Sequence, residues 1–291
     1  MKLLAVGAVL LCAACPPPST GTRDQRGGGG GAAGGAGINP DGCGRINTNK
    51  IGAKVYAFLV ASSELDRTSL ELEGTVRSAC KRMALDLGTS GDGTTKEVCD
   101  RATQALQANL QVSVKSEKRL VTRYTPPVCH TDVSLEASFA AQCEGGGSAT
   151  ATPAGGVANA SAECRAAAEV HAQTHTTCTE AKVEVVSQDV TIVDDSKFKK
   201  AVLAIQDGLP DILRSAKRLE LATVALAHWV DSGAQLVAAS GDLVAQLGEK
   251  GLCVGAQLAG VVAASTQIQA RFSVSVEVSA SVSGSAGATA Q

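Results

Sequence analysis

The groups in this 291-residue chain best able to do chemistry are ten cysteines and four histidines. A thiolate can act as nucleophile or metal ligand, but an even set of cysteines in an exported chain pairs into disulfides. Cys43, Cys80, Cys99, Cys129, Cys143, Cys164, Cys178 and Cys253 form such a set beyond the N-terminal segment. His130, His171 and His175 share the central stretch with Asp132 and Glu136. Imidazole with carboxylate is the donor set of zinc and copper sites, which makes His171, His175, Asp132 and Glu136 the metal candidates. Conformation decides whether they could act together. Residues four apart on a strand lie about 13 Å from one another, whereas on a helix they are neighbours. Read as strands, the stretch gives solvated cross-strand pairs and no metal site. His228, beside the only Trp, reads as a helix residue that packs an interface.

The elements that must position these residues follow from the spacing of the cysteines. Cys129 and Cys143 are separated as widely as Cys164 and Cys178. Opposed residues of an antiparallel pair keep a constant index sum, and that sum is shared by Cys129–Cys178 and Cys143–Cys164. From 129 to 143 the odd positions are mainly apolar, and from 164 to 178 the even positions are apolar or small, a two-residue period. The expectation is a projecting β-hairpin arm with two disulfide rungs and a Gly-rich tip at 145–163. Asp132 would face His175 across it, and Glu136 would face His171. The competing reading of 164–178 is a helix, because AECRAAAEVHAQ has strong helical composition. The same sum pairs a strand at 111–124 with one at 183–194, Val114 facing Val193. Alternation from Phe272 to Val282 suggests a third strand, 272–283, at the base of the arm.

The remainder is helical. Apolar residues recur with a 3.6-residue period from Asn49 to Leu87, with Ser62 and Ser69 as small hydroxyls on the stripe. Gly88 ends this helix (49–87), and Thr94 to Glu97 matches a capping box opening another at 95–110. Cys80 and Cys99 sit near the facing ends, so they pair, and Cys43–Cys253 follows by elimination. A third helical stretch, 196–247, is capped by Ser196 and should break near 208–210, at Gly208-Leu209-Pro210. A fourth, 252–270, is rich in small residues. Its Gln257, Ser265 and Gln267 favour a buried bundle helix over a membrane-inserting one. The fold class is α+β, with long antiparallel helices packed on a small antiparallel sheet.

The N-terminus is an address. Met1-Lys2, an apolar run from Leu3 to Leu11, and then Cys12-Ala13-Ala14-Cys15 make a secretory signal. Its small-small-Cys ending resembles a bacterial lipoprotein cleavage box, which implies a signal peptide at 1–14 and a lipid on Cys15. Residues 15–37, rich in Pro and Gly, read as a flexible tether with a span of about 25 Å. A single disulfide-stapled domain, 38–291, follows. The formal charge of −2 gives no basic stripe for nucleic acid, and 2% aromatic residues give no stacking platform. No Walker loop, G-x-G-x-x-G, H-E-x-x-H or G-x-S-x-G is present.

Four stretches also carry a family resemblance: Ala79-Cys80 through Asp86-Leu87-Gly88, Cys99, Cys129, and Cys253 through the Ser/Val-rich tail at 274–287. On these the chain resembles a family of secreted, Cys-rich bacterial proteins in which Cys-rich repeats lie between the same flanking helices. This chain departs from them in having almost none of the repeat insert. The resemblance implies fold and location and adds no activity. The expected function is thus non-enzymatic and without cofactor: a structural or adhesive interaction module on a flexible tether, a cell-envelope lipoprotein of a Gram-negative-type bacterium, in the outer membrane or on the surface, or else secreted. Its partners would be the membrane, through Cys15, and a protein or second copy bound through 129–178. The alternative is a surface or periplasmic carrier of a small ligand or metal.

Overall fold

Three long helices each contribute to both halves of the core. In the computed structural model, residues 38–113, 121–145, 150–151, 157–186, 191–238 and 245–290 are described. The signal segment, Cys15 and the tether lie outside them. Helix α1 spans Lys50–Asp86 and buries Val55, Phe58, Ser62, Leu65, Ser69, Leu72, Val76, Cys80 and Met83, the stripe expected from the sequence. Asn49 caps its start, its side chain accepting from the Gly52 N–H at 2.7 Å. Its end is a Schellman turn. Gly88 takes a φ of 80°, and the Thr89 N–H reaches back to the Ala84 carbonyl at 2.8 Å.

Helix α2 (Thr95–Ser113) opens with the capping box: the Thr94 N–H donates to Glu97 Oε2, and the Glu97 N–H to Thr94 Oγ1. The bonds that the Glu97 carboxyl accepts from Thr94, that of the backbone N–H first, hold it below the usual carboxylate range. Cys80–Cys99 ties α2 to α1. Helix α5 (Asp195–Ala238) and helix α6 (Lys250–Ser285) complete the body. One core cluster joins Val55 to Leu72 of α1, Leu219 to Leu236 of α5 and Val254 to Phe272 of α6. The other joins Val76 to Leu87, α2, Phe198 to Leu213 and Val278 to Val282. Helix α5 therefore runs antiparallel to α1 and α6, which are parallel to each other. Cys43–Cys253 fastens the segment before α1 to the start of α6.

The two hydroxyls on the α1 stripe have partners. Trp229 of α5 is 1% exposed, and its Nε1–H donates to Ser62 Oγ at 2.9 Å. Arg271 of α6 donates to Ser69 Oγ at 3.2 Å and to Asp66 Oδ1 at 2.6 Å. A polar atom buried in this way costs little because each is paired.

Sheets are small. Strand β1 (Val121–Thr125) pairs antiparallel with β6 (Lys182–Val186), and β2 (Cys129–His130) with β5 (Thr177–Cys178). Both pairs keep the index sum read from the cysteines, for example Val121 with Val186 and Cys129 with Cys178. A two-stranded piece, β3 (Thr150–Ala151) with β4 (Val157–Ala158), lies in the tip segment. Four disulfides join Cys129–Cys178, Cys143–Cys164, Cys80–Cys99 and Cys43–Cys253.

The expected elements need correction at five places. First, the strands 129–143 and 164–178 exist only at their disulfide-bonded base. Above it the chain forms helices α3 (Val133–Cys143) and α4 (Ala162–Thr174). The apolar positions there are mostly Ala, which satisfies either period, and helix propensity decides. This helical pair lies against the body instead of projecting, with Cys164, Ala167 and Val170 in the core beside α1 and α5. Second, of the described residues in 111–124, those up to Ser113 belong to α2 and those from Val121 to β1, whereas a strand was expected throughout; in the outer partner 183–194 the residues up to Val186 are strand, in β6, and the Val114–Val193 pairing rests on Val114, outside the described residues.

Third, 272–283 belongs to α6. Phe272, Ser275, Val278 and Val282 are its buried face, and Ser is small enough to alternate with Val without marking a wet side. The sheet's third strand is instead β7 (Ala288–Ala290), parallel to β1. Fourth, α5 continues through Pro210 without a break. Gly208 lets α1 approach so closely that a Cβ there would lie 2.2 Å from Met83 Cγ. Arg82 of α1 pairs with Asp211 and donates to the Asp207 carbonyl, fastening the helix where proline weakens it. Fifth, Asp194 and not Ser196 caps α5, accepting from the Lys197 N–H at 3.0 Å. Among the described residues α6 is the one helix long and apolar enough to cross a membrane. Its stripe from Val254 to Phe272 is packed in the core.

Candidate functional site

Helix α4 collects the histidine chemistry of the described residues, because it lies between α1 and α3 on one side and α5 on the other. Its start is held by charge and hydrogen bonds. Glu144, just past α3, accepts the Ser161 N–H at 2.7 Å, and the bonds from Ser161 hold its carboxyl below the ordinary range. Glu163, in the first turn, is likewise lowered, first by its own backbone N–H, and lies 3.6 Å from Lys54 of α1. An acid at a helix N-terminus is favourable to the dipole. Cys143–Cys164 joins the end of α3 to the start of α4.

On the α1 side, one helical turn brings His171 and His175 together, with ring centroids 4.6 Å apart. Glu64 of α1 places Oε2 at 2.7 Å from His171 Nδ1, in a pair whose side chains are 15% and 18% exposed. Phe139 of α3 stacks on the His171 ring at a centroid separation of 4.2 Å. His175, more exposed, has Nδ1 at 2.8 Å from the His171 carbonyl. Thr174 Oγ1 lies 3.5 Å from Glu64 Oε2. One ligating atom from each of Glu64, His171 and His175 falls within 4.8 Å of the other two.

On the α5 side, Glu169 Oε2 lies 2.7 Å from His228 Nδ1, but His228 is 57% exposed. This pair borders a cleft of about 660 Å³ between α3, α4 and α5. Thr131, Glu136, Arg165 and Gln173 line one wall, and His228, Asp231, Ser232 and Gln235 the other. Three carboxylates and one guanidinium share the lining with Val133, Val157, Ala162 and Ala166, so the cleft mixes charged and apolar surface.

The four metal candidates from the sequence separate here. His171 and His175 meet, as the helical reading requires. Asp132 instead caps α3, accepting from the Ser134 and Leu135 N–H groups. The Ser134 hydroxyl and these amides hold its carboxyl below the ordinary range. Glu136 is 8% exposed on the wall of the cleft. Neither pairs with a histidine as the hairpin would have had it, because a helical α3 turns them away. Glu64 is the residue that sequence reasoning missed. It comes from 107 positions away, and no local pattern marks it. His130 lies on β2; Trp229 packs the helix interface as expected, whereas His228, expected to pack there too, is 57% exposed. The cysteines at these sites are disulfide-bonded and so are not metal ligands.

No protein-family model matches the sequence, no curated protein matches it, and no solved structure matches its fold.

Proposed function

We propose that the chain is a non-enzymatic cell-envelope protein, anchored by lipid on Cys15 and held off the membrane by residues 15–37, that works by binding a partner. The observation that carries this reading is the cleft between α3, α4 and α5, one wall of which comes entirely from the segment 129–178. That segment is bounded by Cys129–Cys178 and stapled again by Cys143–Cys164, so its surface is held in one shape. Four disulfides suit an oxidising compartment, as does the resemblance to secreted Cys-rich bacterial proteins. The partner is a protein or a second copy of the chain, recognised by polar and charged groups rather than by aromatic stacking.

The test reads anchor and surface together. Full-length protein extracted from native membranes should carry lipid on Cys15 by peptide mass spectrometry. Cross-linking in cells should capture a discrete adduct that disappears when the cleft charges are reversed with Arg165→Glu and Asp231→Arg. A bare Cys15 would remove the anchor from the reading. An adduct unchanged by the double variant would remove the cleft.

A further inference from the structure

The cluster on the other side of α4 has no part in that cleft. We propose that Glu64, His171 and His175 form an exchangeable site for a divalent transition metal, zinc or copper, one ion per chain.

Three observations converge on it. The three residues offer one donor atom each within 4.8 Å of one another, so a single ion can be shared after small side-chain movements. Their elements are independently fixed: α1 by its core stripe, and α4 by Cys143–Cys164 and by the Ser161–Glu144 bond. The supporting contacts also orient the rings. Phe139 stacks on His171, and the His171 carbonyl sits 2.8 Å from His175 Nδ1. A ring that donates Nδ1–H to a carbonyl presents its Nε2 lone pair for coordination, the arrangement found behind metal-bound histidines.

The donor set selects the class of ion. Two imidazoles with one carboxylate suit zinc and copper, whereas calcium and magnesium take oxygen ligands nearly throughout. The number of donors selects the kind of site. A structural zinc is closed by four protein ligands, and three leave a position for water or an incoming ligand. With His175 exposed at its edge, the site can load and release its ion, which is carrier chemistry. The His228–Glu169 pair supplies an internal control. It has the same 2.7 Å separation on the opposite side of the same helix, but it is not part of any such three-residue group among the described residues.

The experiment is titration of tag-free, chelator-stripped, full-length protein with Zn(II) by calorimetry and with Cu(II) by electron paramagnetic resonance. One equivalent should bind, and the Cu(II) spectrum should show coupling to two imidazole nitrogens. His175→Ala, a change at an exposed residue, should weaken binding at least tenfold with the circular dichroism spectrum unchanged. Glu64→Gln should cost about tenfold. His228→Ala should bind as the wild type does. Absence of stoichiometric binding would overturn the proposal, as would wild-type affinity in His175→Ala or an equal loss in His228→Ala.

Discussion

The two sides of α4 hold the same pair of groups at the same distance and differ in nearly everything else. Glu64–His171 and Glu169–His228 are both separated by 2.7 Å. The first is half-buried under Phe139, with a second imidazole one turn further along the helix. The second lines a cleft of mixed polar and apolar surface with His228 largely in water. A hydrogen-bonded His–Glu pair is thus not itself a site. The turn that adds His175, and the packing that fixes the first ring, make the difference, and both follow from α4 being a helix.

That comparison can be broken most severely at the link common to both sides. Replacing Cys143 and Cys164 by Ser should lower stability by about 3 kcal/mol in denaturant titration, since their loop is a short one. Both sides should loosen equally. The two carboxylates should then separate the sides. Glu64→Ala removes a partner from a partly buried ring and should cost about 1–2 kcal/mol. Glu169→Ala should cost less than about 0.5 kcal/mol, as exposed pairs do. Equal costs for the two would mean that burial does not distinguish them.

The mildest perturbation is acid. Asp132 and Glu144, which cap α3 and hold the start of α4, have carboxyls lowered in the folded state. Such groups favour folding in full above their unfolded values, about 4, and lose that contribution as pH falls through the lower folded values. Glu144→Gln should therefore flatten the fall in stability below about pH 4 while leaving neutral pH little changed, which acid titration followed by circular dichroism would read.

The cysteine pairing was legible in the sequence for a reason that also explains what was not. An antiparallel pair of equal rise keeps a constant index sum whether it is built of strands or of helices. The equal spacing of Cys129, Cys143, Cys164 and Cys178 therefore yields partners but not conformation. Conformation had to come from side-chain period, and Ala at 166, 167, 168 and 172 lets both periods pass. The same ambiguity at 272–282, where Ser alternates with Val, hid the end of α6. Helix α1 was legible because Val55, Phe58, Leu65, Leu72 and Val76 are large and recur at the helical period, although Ala57, Ala61 and Thr68 on the other side are buried as well. Of the Glu64, His171 and His175 group, the two histidines were visible as an i, i+4 pair. Glu64 was not, since only the packing of α1 on α4 brings it there.

The most direct test of this account is the response of the four imidazoles to zinc. Long-range nitrogen–proton spectra of labelled protein would report His130, His171, His175 and His228 separately as Zn(II) is added. The account predicts that the His171 and His175 resonances move together and saturate at one equivalent, while those of His130 and His228 stay in place. Uniform shifts of all four, or no shift at His175, would contradict it.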